Sequence, residues 1–304
     1  MLFRSLPAIG LIGFLILWNA GASRVDTSLG QFPGPAEVWT QTGNLYGEHK
    51  TQREKSAAFY ERQEKRNAAK LADNPDYVPK IRKFTGKPTF IDQIATSLIT
   101  VMTGFVLATA IAVPLGIVIG LSQPLYSAIN PLIQLFKPVS PLAWLPLVTM
   151  VVSALYISDD PLVPKSFLNS MITVMLCCIW PTIVNTAVGV ANVSLDHINV
   201  SQVLRLGPLT HVRKVVLPSS IPMVFTGLRL SLSIAWMVLI AAEMLAQNPG
   251  LGKFVWDEFQ NGSSNSLGRI MVAVIVIGAI GFLLDRGMLL LQRLFSWDKQ
   301  AKLR

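Results

Sequence analysis

Long apolar blocks alternate with short polar loops along most of the chain. A transmembrane helix needs about 20 residues, because the hydrocarbon core of a bilayer is roughly 30 Å thick and each residue adds about 1.5 Å. The apolar blocks lie within residues 6–22, 94–121, 143–157, 167–190, 221–246 and 270–291, the third being extended backwards by residues 138–141. This pattern predicts an all-α integral membrane protein with six transmembrane helices.

The first block, within residues 1–23, has two interpretations. Its length, Arg4 before it and the Ala-Gly-Ala-Ser tail at residues 20–23 fit a cleavable signal peptide as well as a membrane anchor. A retained helix is favoured, because an even number of crossings then leaves both basic ends of the chain on one side.

The distribution of basic residues predicts the orientation in the membrane. The short loop 193–218 carries Arg205, Arg213 and Lys214, and further Lys and Arg residues follow the last block, in and before the tail 296–304. Basic residues in short loops mark the cytoplasmic side, so both termini are predicted to be cytoplasmic.

Residues 24–91 form a polar segment that this topology places outside the cytoplasm, between the first and second predicted transmembrane helices. Within it, residues 51–73 combine good helix formers with charges on every face, which predicts a solvated helix. The segment is interpreted either as a surface insertion or as a contact site for an extracytoplasmic partner. Residues 92–295 then form the transmembrane core.

The composition supports a membrane protein and excludes several other classes. The chain of 304 residues is 51% hydrophobic and 14% charged, with a mean hydropathy of +0.48. The net charge of +9 comes partly from loops beside the spans, which favours membrane topology and partner contact over nucleic-acid binding. The adjacent Cys177 and Cys178 and three scattered histidines offer no metal or redox site, so no cofactor is expected in this chain.

Enzymatic activity is not expected either. The glycine-containing stretches at residues 86–88 and 250–253 lack the spacing and the Ser or Thr of a Walker A motif. Nothing inside the predicted spans combines a nucleophile with a base or metal ligands. An ion-coupled secondary transporter would need paired carboxylates at mid-membrane or inverted repeats, and neither is visible.

The loop between the fourth and fifth blocks contains a short predicted helix. Val200, Val203 and Leu204 follow helical spacing, and Gly207-Pro208 ends the pattern. A helix this short is marginal in water, so the surrounding spans and a protein surface are expected to hold it.

Residues 199–218, NVSQVLRLGPLTHVRKVVLP, resemble the EAA loop of the inner-membrane permeases of binding-protein-dependent ABC transporters. The closing residues Val215, Leu217 and Pro218 match the family pattern, whereas the Glu-Ala-Ala start and the following Gly are replaced. Further similar stretches are QFPGPAEVW (31–39), KPVSPLAWLPLV (137–148), FTGLRLSLSIAWMVLIAAEML (225–245) and NPGLGKFVWDEF (248–259). They are typical of the branch that serves nitrate, sulfonates, taurine and bicarbonate. Within that branch, VLRL (203–206), AAEML (241–245) and WDEFQNGSSNSLGRI (256–270) are most similar to the nitrate permeases.

The resemblance implies a type I importer in a bacterial inner membrane. Two permease copies, a homodimer, would bind two cytoplasmic ATPase subunits that hold ATP and Mg²⁺, and an external binding protein would deliver a small anion. The implied substrate is nitrate or nitrite, with bicarbonate, cyanate and taurine or other alkanesulfonates as alternatives. The residues implied to dock on the ATPase are Asn199, Val200, Ser201, Gln202, Val203, Leu204, Arg205, Leu206, Gly207 and Pro208.

Two charged residues lie within the fifth predicted span. Arg229 is interpreted either as an attractor for the anion or as a side chain that reaches the cytoplasmic interface, and Glu243 as a structural charge or a gate. Uncharged polar residues in the spans are candidates for lining the path, or for hydrogen bonds between helices: Ser140, Asn169, Thr173 and Asn185.

Overall fold

The computed structural model describes residues 2–27, 30–74, 76–157, 162–263 and 265–295. These residues are mostly helical. The elements are α1 (Leu2–Ala22), β1 (Asp26–Thr27), β2 (Gly30–Gln31), α2 (Pro35–Asp73), α3 (Phe90–Gly120), α4 (Gln123–Phe136), α5 (Pro141–Leu155), α6 (Lys165–Ala191), α7 (Leu195–Val203), α8 (Pro208–His211), a π-helical turn (Val212–Val216), α9 (Leu217–Ala246), α10 (Leu251–Asn261) and α11 (Ser266–Phe295). The two strands pair antiparallel, with Asp26 opposite Gln31.

Four helical segments in the described part of the chain are long and apolar enough to cross a membrane. They are α3, α6, the continuous stretch Pro208–Ala246 and α11. The pair α4 and α5 would add a fifth span, but its two helices are bent by 97°. The described apolar part of α1, Ile9–Ala22, is shorter than a full span. The described residues therefore contain four or five possible spans, and the predicted total of six stays a prediction.

The bend between α4 and α5 differs from the straight extension that the sequence suggested. Of the residues 138–141 that were predicted to extend the third span, only Pro141 belongs to the helix, because α5 begins there. Proline fits the first turn of a helix, where its missing N–H group is not needed. The Ser140 side chain caps the new helix by accepting a hydrogen bond from the Leu142 backbone N–H at 3.3 Å.

The chain divides into two compact units. The first consists of Met1–Ala95 and Pro249–Ile275, and the second of Thr96–Asn248 and Val276–Arg304. The second unit therefore contains most of the apolar helical residues, and the first contains α2 and α10.

Close helix packing in the second unit depends on small residues. A Cβ atom at Gly116 would lie 2.6 Å from the Thr186 Cβ atom of α6, and one at Gly120 would lie 2.6 Å from the Ala187 carbonyl oxygen. Glycine at both positions thus lets α3 approach the backbone of α6. The two glycines, four residues apart, therefore make a close helix contact within the chain.

Helix α2 of the first unit is longer than the predicted 51–73 helix and includes it. The helix is not solvated on every side, because the chain returns along it. The Gln63 side-chain oxygen accepts a hydrogen bond from the Arg82 backbone N–H at 2.8 Å, and the Tyr60 hydroxyl accepts one from Phe84 at 3.1 Å. These bonds satisfy backbone donors of a segment without secondary structure, which hydrophobic periodicity does not reveal.

One arginine joins three helices of the first unit. The Arg269 guanidinium at the start of α11 donates to a carboxylate oxygen of Glu48 in α2 at 2.6 Å and lies 3.1 Å from a carboxylate oxygen of Glu258 in α10. Glu258 is buried and also accepts a hydrogen bond from the Ser266 hydroxyl at 3.1 Å. Removal of the guanidinium would leave a buried carboxylate without its counter-charge.

We expect Arg269→Ala to lower the free energy of unfolding by about 1–2 kcal/mol, because a buried charged acceptor loses its partner. Lys253→Ala is the matched control, since it breaks a Lys253–Asp257 pair four residues apart on α10. Such a partly exposed pair contributes only about 0.3–0.5 kcal/mol. Thermal unfolding of the protein in lipid nanodiscs compares the two variants, and equal losses would contradict the assigned role of Arg269.

Candidate functional site

The predicted docking segment 199–208 forms a short helix followed by a reversal of the chain. Helix α7 begins at Leu195, where the Ser194 hydroxyl caps it by accepting from the His197 backbone N–H at 3.5 Å. It ends at Val203, and Arg205 then adopts a left-handed backbone conformation with a φ angle of 46°. The predicted bounds were therefore wrong at both ends. The capping serine starts the helix four residues earlier, and the left-handed residue ends it before Gly207-Pro208.

A hydrogen bond between side chains holds the two sides of this reversal together. The Ser201 hydroxyl in α7 and the Nδ1 atom of His211 in α8 are 2.7 Å apart. Ser201 is buried, although the segment around it is largely exposed. Pro208 does not merely stop the preceding helix; it opens α8 as its first residue.

Four apolar side chains on this segment face solvent. Val200, Val203, Leu204 and Leu209 are 57%, 81%, 63% and 82% exposed, and we refer to these four residues as the coupling patch. The sequence predicted that the first three would pack on a face. Among the residues that the structure describes, nothing covers this face, so it is available to another protein.

The segment is firmly connected to the helices that follow and precede it. Val216, in the π-helical turn, is buried with Val190 of α6 and Val193 in one apolar cluster. The predicted closing residues Val215, Leu217 and Pro218 lie in that turn and in the first turn of α9. A displacement of the coupling patch would therefore be transmitted to α6 and α9 through packed side chains.

Arg229 forms an ion pair that the sequence interpretation did not contain. Its guanidinium contacts both carboxylate oxygens of Asp285 in α11, with Nε donating to one oxygen and Nη2 donating to the other at 2.9 Å. The available signal was a carboxylate inside the predicted span 270–291, since charges within spans rarely lack a partner. The ion pair joins α9 to α11.

Glu243 is fully buried in α9, and Ser97 of α3 is hydrogen-bonded to it. The Ser97 hydroxyl lies 2.9 and 2.8 Å from the two carboxylate oxygens of Glu243. This contact supports the structural interpretation of Glu243, whereas a gating role stays a prediction. Sequence reasoning missed Ser97, which is an uncharged residue 146 positions away.

The four uncharged path candidates bond mainly within their own helices. Thr173 donates to the Asn169 carbonyl oxygen at 2.7 Å, and Asn185 donates to the Pro181 carbonyl oxygen at 2.8 Å. Asn169 and Thr173 are buried inside α6, and Ser140 is the exposed cap of α5. These contacts do not join the four residues into one site, so their role in the path stays a prediction.

A family model for the inner-membrane component of binding-protein-dependent transport systems matches residues 112–297. This match covers more than half of the chain and includes the coupling patch. The chain belongs to this family. The predicted resemblance is thereby confirmed, and the permease is a multi-pass membrane protein and a transport component.

Relatives with assigned names lie in one branch of the family. The permease is 37% identical over 193 residues to the nitrate import permease protein NrtB of Leptolyngbya laminosa, an alignment that covers 64% of each chain. It is 33% identical over 289 residues to the bicarbonate transport system permease protein CmpB of Synechococcus elongatus, covering 95% of the permease and 88% of CmpB. The permease thus belongs to the nitrate and bicarbonate branch, although the match spans less than two thirds of NrtB.

The fold resembles a chain of the MetNI methionine ABC transporter in inward-facing conformations. The TM-score is 0.57 at 14% identity, and the match covers 68% of the permease and 96% of the MetNI chain. At this identity the likeness concerns the fold alone. It supports a helical permease fold like that of ABC importers over 68% of the permease.

Proposed function

We propose that the permease is the membrane subunit of an ATP-driven importer for nitrate, with nitrite as a further substrate. The coupling patch is the observation that carries this proposal. The four exposed apolar side chains lie where the chain reverses direction, and they can pack into a cleft on an ATPase subunit. The buried cluster around Val216 connects this segment to α6 and α9. This chain undergoes the conformational change that moves the anion, and the ATPase subunit hydrolyses ATP.

The complete transporter contains two copies of the permease, two cytoplasmic ATPase subunits and an extracytoplasmic binding protein. ATP and Mg²⁺ bind to the ATPase subunits. Both termini of the permease lie in the cytoplasm of a bacterial cell, and residues 24–91 lie outside it. This orientation is supported by the basic residues of loop 193–218, which belong on the cytoplasmic side.

Bicarbonate is the second candidate substrate. The similarity to CmpB supports it, because that alignment covers 88% of CmpB, compared with 64% of NrtB. Arg229 is proposed to lie on the path of either anion. The remaining path candidates Ser140, Asn169, Thr173 and Asn185, and a gating role for Glu243, are part of the same proposal.

The test is reconstitution of the permease with its co-encoded ATPase and binding protein in lipid vesicles. ATPase activity and anion uptake are measured with nitrate, nitrite, bicarbonate or taurine, one at a time. Stimulation by nitrate is the expected result. Stimulation by bicarbonate alone would keep the importer and replace the substrate, whereas a permease that binds no ATPase subunit would overturn the proposal.

A further inference from the structure

The Arg229–Asp285 pair lies far from both ends of its helices. Twelve residues, or about 18 Å, separate Arg229 from the start of α9 at Leu217, and ten residues, or about 15 Å, separate Asp285 from the end of α11 at Phe295. Both helices are apolar enough to span a membrane. In the predicted spans 221–246 and 270–291, Arg229 and Asp285 lie about 12 Å and 9 Å from the nearer ends, so both charges lie inside the predicted membrane region.

Both charged side chains nevertheless remain accessible, with 36% of the Arg229 side chain and 25% of the Asp285 side chain exposed. Charges inside spans face a protein interior or a water-filled cavity, because exposure to hydrocarbon is costly. The accessible part of this pair therefore faces a water-filled cavity or another subunit of the transporter, and not lipid. A purely structural ion pair between two helices would not need this access.

A cavity of about 170 Å³ opens at the pair. Besides Arg229 and Asp285, its lining includes Ser233 and Trp236 of α9 and Gly281 of α11. The Trp236 ring is fixed by a hydrogen bond from its Nε1 atom to the Ile277 carbonyl oxygen at 3.0 Å. A four-atom oxyanion needs on the order of two water volumes, or about 60 Å³, so the cavity has room for it.

Nitrate and bicarbonate are planar anions of single charge with oxygens spaced like those of a carboxylate. Asp285 accepts hydrogen bonds from Nε and Nη2 of Arg229, the edge of the guanidinium that binds such a pair of oxygens. A planar oxyanion can make the same two contacts only after Asp285 has left them. Asp285 is thus positioned as a competitor of the anion for Arg229.

We propose that Asp285 is an exchangeable counter-ion, which occupies Arg229 between transport events and yields it to a planar oxyanion in transit. This inference rests on the proposed function. Exchange keeps Arg229 neutralised when no anion is present, and it keeps anion binding weak enough for release. Transport requires both, since a site that holds its ion tightly does not pass it on.

The test compares wild-type complex with Asp285→Asn, which is similar in shape and removes the competing charge. Nitrate binding to the permease–ATPase complex without binding protein is measured by nitrate-dependent thermal stabilisation in nanodiscs, with chloride as the reference anion. We expect nitrate to bind at least roughly tenfold more tightly to Asp285→Asn, and ATP-driven uptake to fall several-fold because release is slowed. Equal nitrate affinity in both proteins would overturn the proposal.

Asp92→Asn is the matched control, because it makes the same substitution at another aspartate that is paired with an arginine, Arg53, and that lies away from the proposed path. We expect no gain in nitrate affinity from it. An equal gain would show a general electrostatic effect and overturn the specific role of Asp285.

The double variant Arg229→Gln/Asp285→Asn removes both charges of the ion pair. It tests the proposal even if the complex with Asp285→Asn alone does not assemble. It should assemble, bind no nitrate and transport about a tenth or less of the wild-type amount. Wild-type transport by this variant would overturn the inference alone, because import by the wild-type complex tests the proposed function separately. If wild-type imports a different planar anion, the same variants are tested with that anion.

Discussion

Leu204→Asp is expected to abolish ATP-driven anion uptake while the permease still inserts into the membrane. Leu204 is 63% exposed and follows the last residue of α7, so an aspartate there disturbs little inside the chain. A charge placed in an apolar docking cleft loses its hydration and finds no partner. A loss of about 1.4 kcal/mol of docking free energy already weakens ATPase binding about tenfold.

Leu195→Asp is the matched control, because it makes the same substitution at a leucine that is 74% exposed on the same helix and lies outside the predicted docking segment 199–208. Both variants are reconstituted with the ATPase and binding protein, and uptake is measured together with substrate-stimulated ATP hydrolysis. The expected result is uncoupling by Leu204→Asp and near wild-type behaviour of Leu195→Asp. Retained coupling in the Leu204 variant would remove the coupling patch from the docking surface.

Hydropathy predicted the location of α3, α6, α9 and α11. An apolar run that is long enough to cross the bilayer as a helix is typical of a transmembrane helix. Hydropathy did not predict the 97° bend between α4 and α5. Prolines on either side of Ser140 mark a break, but the angle across it depends on how the two helices pack. The number of spans stayed unresolved for the same reason, since a bent apolar pair crosses or re-enters with the same composition.

The coupling segment was found from the sequence, but its geometry was not. Because the Gly207-Pro208 pair is a strong helix-stop signal, the predicted helix extended to it. The observed helix α7 ends earlier, at Val203. The chain instead turns at Arg205, whose left-handed conformation is uncommon for a residue with a side chain. Such a conformation is set by the Ser201–His211 contact and the packing around it, which no local pattern encodes.

The Arg229–Asp285 ion pair could not be predicted from local sequence patterns either. Arg229 was recognised as a candidate because a charge within a span is conspicuous in any sequence. Its partner Asp285 lies 56 residues away, and only the packing of α9 beside α11 brings the two together. The missing information is the tertiary contact, and it changes the chemistry, because Arg229 is a cation neutralised by Asp285 and not a free one.

Gly116→Ala combined with Gly120→Ala is expected to prevent stable folding of the second unit. Added methyl groups would lie 2.6 Å from the Thr186 Cβ atom and 2.6 Å from the Ala187 carbonyl oxygen of α6. A backbone carbonyl cannot move aside as a flexible side chain does, so α3 and α6 must separate. Overpacking of this kind costs about 1–3 kcal/mol at each site. Together the two costs are a large fraction of the free energy of unfolding, which is about 5–15 kcal/mol for a native protein.

Gly278→Ala combined with Gly287→Ala on α11 is the matched control, since a Cβ atom at either position meets no atom within 4 Å. Alanine is the better helix former by roughly 1 kcal/mol, so this pair should be neutral or slightly stabilising. The two double variants add the same atoms to spanning helices of the second unit and differ in what those atoms contact. Similar unfolding temperatures in nanodiscs would contradict close packing of α3 on α6, whereas a large difference would locate the tight contact at Gly116 and Gly120. Because α6 also leads into the coupling segment through Val190, a loosened α3–α6 contact should weaken coupling before the protein unfolds.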